Sequence, residues 1–231
     1  MTNVLLLLVT LLLAFALVVL SCRFAGKTGL FAANVLLTVL ANIEVVVIIR
    51  AFGIEQTLGN VLFAATFIIS DVISEIYGKK EAQRSVLMSL CASAFFLLLT
   101  LVWTHYIPAE SDWAMPAVRT IFSITPRLML ASLSVYAVSQ LLDVWLYQRC
   151  WDFTAARSGR RESHLWLRNN FSTIISQAIN TVLYTLLAFG GMYEWSTIWQ
   201  IMLSSFIIYT VLSLLGTPVV YICRKCAPKN E

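Results

Sequence analysis

Seven apolar stretches, each long enough to cross a bilayer as a helix, run through this sequence and leave little choice of solvent. A hydrocarbon core of roughly 30 Å needs about 20 helical residues. The stretches cover residues 3–20, 30–49, 58–77, 86–105, 128–148, 171–189 and 198–223, and short polar or glycine-containing gaps separate them. Strands would leave backbone groups unpaired in lipid unless closed into a barrel. Barrel strands alternate apolar with polar residues, so solid apolar runs favour helices. Composition agrees: 59% of the 231 residues are hydrophobic, 12% are charged and the mean hydropathy is +0.82. A water-soluble core cannot absorb that much apolar surface. The expectation is an all-α integral membrane protein forming one transmembrane domain over residues 1–231.

The basic residues give the expected topology. With the N-terminus outside, the inner segments hold Arg23 and Lys27, then Lys79, Lys80 and Arg84, then Arg149, Arg157, Arg160, Arg161 and Arg168, and finally Arg224, Lys225 and Lys229. These are 13 of the 16 basic residues, and only Arg50, Arg119 and Arg127 fall outside. Lys and Arg collect on the cytoplasmic side of short loops, so the alternation supports seven spans and a cytoplasmic C-terminus. The net charge of +4 is thereby a topology signal, with no nucleic-acid partner implied.

Several look-alike motifs carry no chemistry. The first stretch lacks the basic residues that precede a signal peptide's apolar region, so it is expected to stay as an anchored helix. Cys22, Cys91, Cys150, Cys223 and Cys226 fall within helices or at cytoplasmic ends, where thiols stay reduced. Gly26-Lys27-Thr28 resembles the end of a phosphate-binding loop, but Ser21 stands where the earlier glycine is required. His105 and His164 sit on opposite sides of the membrane and cannot share a metal. No intramembrane hydrolase pattern appears, so neither an enzyme nor a cofactor is expected.

Polar residues inside the apolar runs are the informative ones, since an ionisable group in a span costs several kcal/mol and tends to face a cavity or a partner (roughly 2.5 kcal/mol or more). The second run carries Asn34, Thr38, Asn42 and Glu44, which could line one wall. In the third, Asp71 and Glu75 share a face one turn apart; Glu75 is expected to reach the interface and pair with Lys79, leaving Asp71 deeper. The fifth has Tyr136, Ser139, Gln140, Asp143 and Tyr147. The sixth has Asn170, Thr173, Gln177, Asn180 and Tyr184 as an unbroken polar stripe. Such stripes can also bind helices together. Four helices offering amides or carboxylates at similar depth call for a filled polar interior. The first, fourth and seventh runs lack charged or amide residues inside and read as lipid-facing supports.

With those residues in place, the segment Ile68-Ile-Ser-Asp71-Val-Ile-Ser-Glu75-Ile-Tyr-Gly78-Lys-Lys resembles the signature of the queuosine precursor transporters. Ser139-Gln140-Leu-Leu-Asp143-Val, Trp166-Leu-Arg168-Asn169-Asn170-Phe-Ser172-Thr173 and Ser176-Gln177 are similar to the same family in the same order. The resemblance implies uptake of 7-deazaguanine bases (preQ0, preQ1, queuine) across the bacterial cytoplasmic membrane for tRNA modification. It also implies a six-helix core like the substrate-binding subunits of energy-coupling-factor systems, with the first helix added outside it. No ATPase module is required, and homo-oligomerisation stays open. One departure is Asn180, where family members often carry Asp. Asp71 and Asp143 are the deep carboxylates that transfer from the family pattern, and Glu44 and Glu75 belong to one branch.

A deazaguanine presents adjacent N–H donors that suit a carboxylate and a carbonyl that suits an amide. Asp71 or Asp143 with Gln177 or Gln140 could form that clamp, with Tyr136, Tyr184 or Phe67 stacking on the base and the second carboxylate taking up a proton. The alternatives are a substrate-capture subunit for another vitamin and a membrane scaffold without transport.

Overall fold

The computed structural model describes residues 2–122, 126–158, 164–191 and 193–228. Seven helices and one hairpin follow in order: α1 (Thr2–Glu44), β1 (Ile48–Ala51), β2 (Ile54–Thr57), α2 (Asn60–Ile76), α3 (Lys79–Thr104), α4 (Met115–Phe122), α5 (Pro126–Ser158), α6 (Leu165–Phe189) and α7 (Trp195–Cys226). Arg160, Arg161 and Lys229 of the basic alternation lie outside the described residues, as do the side chains of Arg127 and Arg157.

α1 holds both of the first two apolar runs. Its helical path breaks at Gly26, with φ 50° and ψ −133°, a backbone conformation open to glycine and costly for other residues. There the chain folds back on itself, so the Nδ2 of Asn3 donates to the carbonyl of Arg50 at 3.0 Å across 47 residues. The result is a pair of antiparallel arms. The second arm stops at Glu44, five residues short of the expected end, because Val45 to Ile49 is a β-branched run. Ile48 pairs with Thr57 and Ala51 with Ile54 in an antiparallel hairpin. Phe52 and Gly53 both have positive φ, as a two-residue turn with the twist of a hairpin requires. This hairpin and the short helix α4 were not anticipated by the hydropathy reading.

The helices bury a narrow stripe and expose the rest. Four of them, α1, α3, α6 and α7, are long and apolar enough to cross a membrane, counting only the described residues. Leu5, Leu12 and Leu13 of α1, Phe95 and Leu98 of α3, and Trp199 and Leu203 of α7 are exposed. Apolar surface on that scale is intolerable in water and natural in lipid. α2 is the opposite case: every residue from Ala64 to Ser74 is buried. It runs through the centre of the bundle between α1, α7, α3 and α5.

Two apolar clusters mark the two ends. Leu7, Val61, Ala64, Tyr209 and Leu212 pack with Ala51 at the hairpin end. Cys22, Ile73, Ala82, Leu165, Val220 and Cys223 pack at the other, where the Gly26 turn, the α2–α3 turn and the end of α7 meet. Lys27 and Glu81 form an ion pair at 3.4 Å at this second end, which is also where the described basic residues gather.

Close approach of α1 and α2 depends on Gly59. A Cβ there would sit 2.8 Å from the Ala41 carbonyl oxygen and 3.1 Å from the Val45 nitrogen, both backbone atoms that cannot rotate away. Gly59→Ala should therefore destabilise the purified protein by about 1–3 kcal/mol, as overpacking does, seen as a lowered melting temperature in detergent. An unchanged melting temperature would contradict this packing.

Candidate functional site

A cavity of about 310 Å³ lies in the hairpin half of the bundle. Its wall comes from the second arm of α1 (Thr38, Asn42, Val46), the hairpin (Ile48, Thr57), the start of α2 (Asn60, Phe63), α3 (Ser93, Leu97) and α5 (Ser132, Tyr136). α6 (Asn180, Thr181, Tyr184, Phe189) and α7 (Ser205, Tyr209) complete it. The lining is mainly apolar and aromatic with a few amides and hydroxyls, the usual make-up of a small-molecule site, and its size is at the lower end of such sites (roughly 300–1,000 Å³).

The aromatic part is a packed group. The Phe63 ring lies 5.5 Å from Phe67, 6.0 Å from Tyr136 and 5.9 Å from Tyr209, while Tyr184 meets Phe189 edge-on at 6.0 Å. Hydrogen bonds fix the polar side chains. Asn42 donates to the Thr38 carbonyl at 2.9 Å and to Ser93 Oγ at 3.3 Å, and its oxygen accepts from Ser132. Asn60 Oδ1 accepts from Thr57 and from Tyr209 Oη, both at 3.0 Å. Asn180 Oδ1 accepts from Ser139 at 3.2 Å. The Thr181 hydroxyl is buried without a partner.

Beneath the cavity lies a second, closed layer. One turn further along α5, Gln140 donates to Thr66 Oγ1 at 2.7 Å, and its own oxygen is unpartnered. Neither amide atom of the buried Gln177 has a partner. Asp143 accepts from Ser176 at 2.9 Å and Ser70 at 3.3 Å, and Asp71 accepts from Thr173 at 2.9 Å. Both carboxyl groups are buried, and Ser70, the residue before Asp71, bridges to Asp143. Two carboxylates enclosed in one dry layer repel each other when both are charged.

A third layer closes the basic end. Glu75 is held by Arg168 through three contacts of 2.5, 2.6 and 2.9 Å, and Tyr147 Oη donates to it at 2.6 Å. The Arg168 guanidinium also sits over the Trp151 ring at 4.4 Å. From Phe63 to Glu75 the three layers span twelve residues of α2, about 18 Å at 1.5 Å per residue.

Of the side chains singled out in the sequence, Asn42, Tyr136, Asn180 and Tyr184 line the cavity. Asp71, Gln140, Asp143 and Gln177 form the layer below. Glu44 sits half-buried beyond Asn42, outside the lining set, with one buried carboxylate oxygen unpartnered. Asn170 bonds to Thr217 at 2.9 Å and to Ser213 at 3.4 Å, tying α6 to α7. Asn34 likewise ties α1 to α3 through Ser85 at 3.0 Å. The expected Glu75–Lys79 pair is replaced by Glu75–Arg168, with Lys79 exposed. The reason is depth: Glu75 is enclosed by the bundle, and Arg168, assigned to a loop from sequence, lies inside α6. α3 and α7, taken as lipid-facing supports, contribute Ser93, Ser205 and Tyr209 to the cavity. Arg168 was findable, because Arg168, Ser172 and Ser176 repeat every four residues and form a second polar face. The cavity hydroxyls were not, since Ser and Thr commonly bond back to their own helix.

Comparison with known proteins places these layers in a wider context. The sequence family described as "Putative vitamin uptake transporter" matches residues 57–223. A Bacillus subtilis (strain 168) protein named "Probable queuosine precursor transporter" is 36% identical over 222 residues, covering 94% of this chain and 93% of that protein. The Escherichia coli (strain K12) "Queuosine precursor transporter" is 22% identical over 167 residues, covering 72% and 70%. No solved structure matches.

The matched region contains both Asp71 and Asp143. Removing one of two apposed carboxylates relieves repulsion, and both Ser70 and Ser176 retain backbone acceptors, Phe67 and Ser172. Asp143→Asn should therefore leave the melting temperature unchanged or higher while impairing the activity that the pair serves. A fall of several degrees would show instead that the charge pair holds the fold together.

Proposed function

We propose, from the premise that this chain belongs to the vitamin uptake transporter family, that it imports queuosine precursors of the 7-deazaguanine class for tRNA queuosine salvage. The chain is a transporter and not an enzyme, and it is a multi-pass protein of a bacterial membrane. The observation that carries the proposal is the cavity itself: a small, partly open, aromatic space with amides at its edge. That chemistry suits a flat, neutral heterocycle carrying several donors and acceptors. The names of the Bacillus subtilis and Escherichia coli relatives support the same cargo.

In this reading the base stacks against Tyr136 or Tyr184 and offers its polar edge to Asn180 and Thr181. Amides and hydroxyls compensate the hydrogen bonds that the base gives up to water, and the rings contribute area without charge. The hairpin half of the bundle faces outside, and the end rich in Arg and Lys faces the cytoplasm. The cavity is then the outward-facing site from which uptake begins. The carboxylate pair beneath it is the place where a proton would accompany the base, since a second negative charge there is costly and a proton removes it. Gln177 and Asp71, with their unpartnered buried atoms, are the groups that the base meets as it moves inward.

The test is functional rescue. In a bacterial strain unable to make preQ0 and lacking its own importer, expression of this chain with preQ0, preQ1 or queuine at low concentration should restore queuosine in tRNA, measured by mass spectrometry. Failure with all three bases would overturn the assignment. Tyr184→Ala should raise the concentration of base needed for half-maximal rescue on the order of tenfold, as loss of a stacking ring does. An unchanged requirement would remove Tyr184 from the site.

A further inference from the structure

The basic end of the bundle is sealed by an ion pair that stability alone does not explain. Arg168 is completely buried, and its partner Glu75 has a side chain only 3% exposed. Burying two opposite charges rarely stabilises a fold, because desolvation cancels most of their attraction, whereas an apolar pair of similar size does as well or better. Here the pair is elaborately held. Tyr147 donates to Glu75, Trp151 covers the guanidinium, and a second cation, Arg224, lies 3.5 Å from the same carboxylate.

Position gives the cluster its meaning. Glu75 belongs to α2, Tyr147 and Trp151 to α5, Arg168 to α6 and Arg224 to α7. All four helices also line the cavity at their other ends. Anything moving from the cavity along the axis of α2 passes the Asp71–Asp143 layer and then meets Glu75–Arg168. A bundle with its cavity in one half and its fastening in the other has the form of one state of an alternating-access cycle.

We propose that Glu75 and Arg168, covered by Tyr147 and Trp151, form the inner gate of this transporter, and that the gate opens by parting α2 from α6. The proposal rests on transport by the chain and on no particular cargo. Arg–carboxylate pairing in two contacts is strong and directional, so the closed state is well defined. Once the helices part, water reaches both charges and repays the lost attraction, so the same pair that locks when dry releases when wet.

The experiment reads accessibility and needs no substrate. Ser74, buried and one residue before Glu75, is replaced by Cys in the full chain with its five native cysteines changed to Ala or Ser. A membrane-impermeant thiol reagent is then applied to inside-out vesicles. The expected result is slow labelling of the closed protein. Labelling should be on the order of tenfold faster in Glu75→Gln, which leaves Arg168 unpaired until opening lets water reach it, and should return to the slow rate or below it in the paired variant Glu75→Gln/Arg168→Met, which removes both charges together. Tyr147→Phe, which deletes one hydrogen bond and no charge, should give a smaller rise of the same sign. Equal labelling rates in the reporter protein, Glu75→Gln and Tyr147→Phe would overturn the gate. Failure of queuosine rescue alongside the expected differences in labelling would strike at the cargo and leave this inference standing.

Discussion

A carboxylate has nowhere to go in lipid except inward, and the architecture of this protein follows from that constraint. α2 carries Ser70, Asp71, Ser74 and Glu75 on one face over successive turns, and that face cannot meet hydrocarbon without stranding charge. It lies at the centre of the bundle, with α1, α3, α5 and α7 around it. Those neighbours expose leucine, phenylalanine and tryptophan outward and direct short hydroxyls and amides inward. In an apolar solvent the bundle gains little from burying apolar groups, so close packing and the satisfaction of polar groups determine which faces meet. Gly59 illustrates the packing half of this rule, and Asn170 with Thr217 the polar half.

The same constraint grades the interior along its axis. At the hairpin end the polar groups are amides and hydroxyls around aromatic rings, neutral and partly open. In the middle are two carboxylates supplied with hydroxyl donors from three residues. At the basic end a compensated ion pair is enclosed by aromatic rings. Neutral recognition, a protonatable pair and an electrostatic lock are three solutions to one problem, polarity in a dry bundle. On the proposed reading, stacked in this order they serve as a site, a coupling element and a barrier.

Much of this was legible in the sequence for physical reasons. Apolar runs of bilayer length give helices because nothing else satisfies the backbone there, and the 3,4 spacing of Thr173, Gln177, Asn180 and Tyr184 gives an inward face on geometry alone. Asp71 and Asp143 stood out because a charge in a span is costly. What could not be read was pairing across helices. Glu75 had Lys79 one turn away in sequence, yet its partner was Arg168, 93 residues distant and buried inside a helix. The hairpin was hidden because Val45 to Ile49 reads as membrane span by hydropathy, while its β-branching and the Phe52-Gly53 turn favour strands. Ser93, Ser132 and Thr181 line the cavity as ordinary small residues, which no pattern of spacing distinguishes from packing.

The central claim is that the aromatic cavity at the hairpin end is where a 7-deazaguanine base binds. Equilibrium binding of radiolabelled preQ0 to the purified protein tests it most directly. The account requires saturable binding to one site, displaced by unlabelled base and weakened when Tyr136 or Asn180 is replaced by leucine. Absence of saturable binding by preQ0, preQ1 and queuine alike, in protein that is folded and monodisperse, would contradict it.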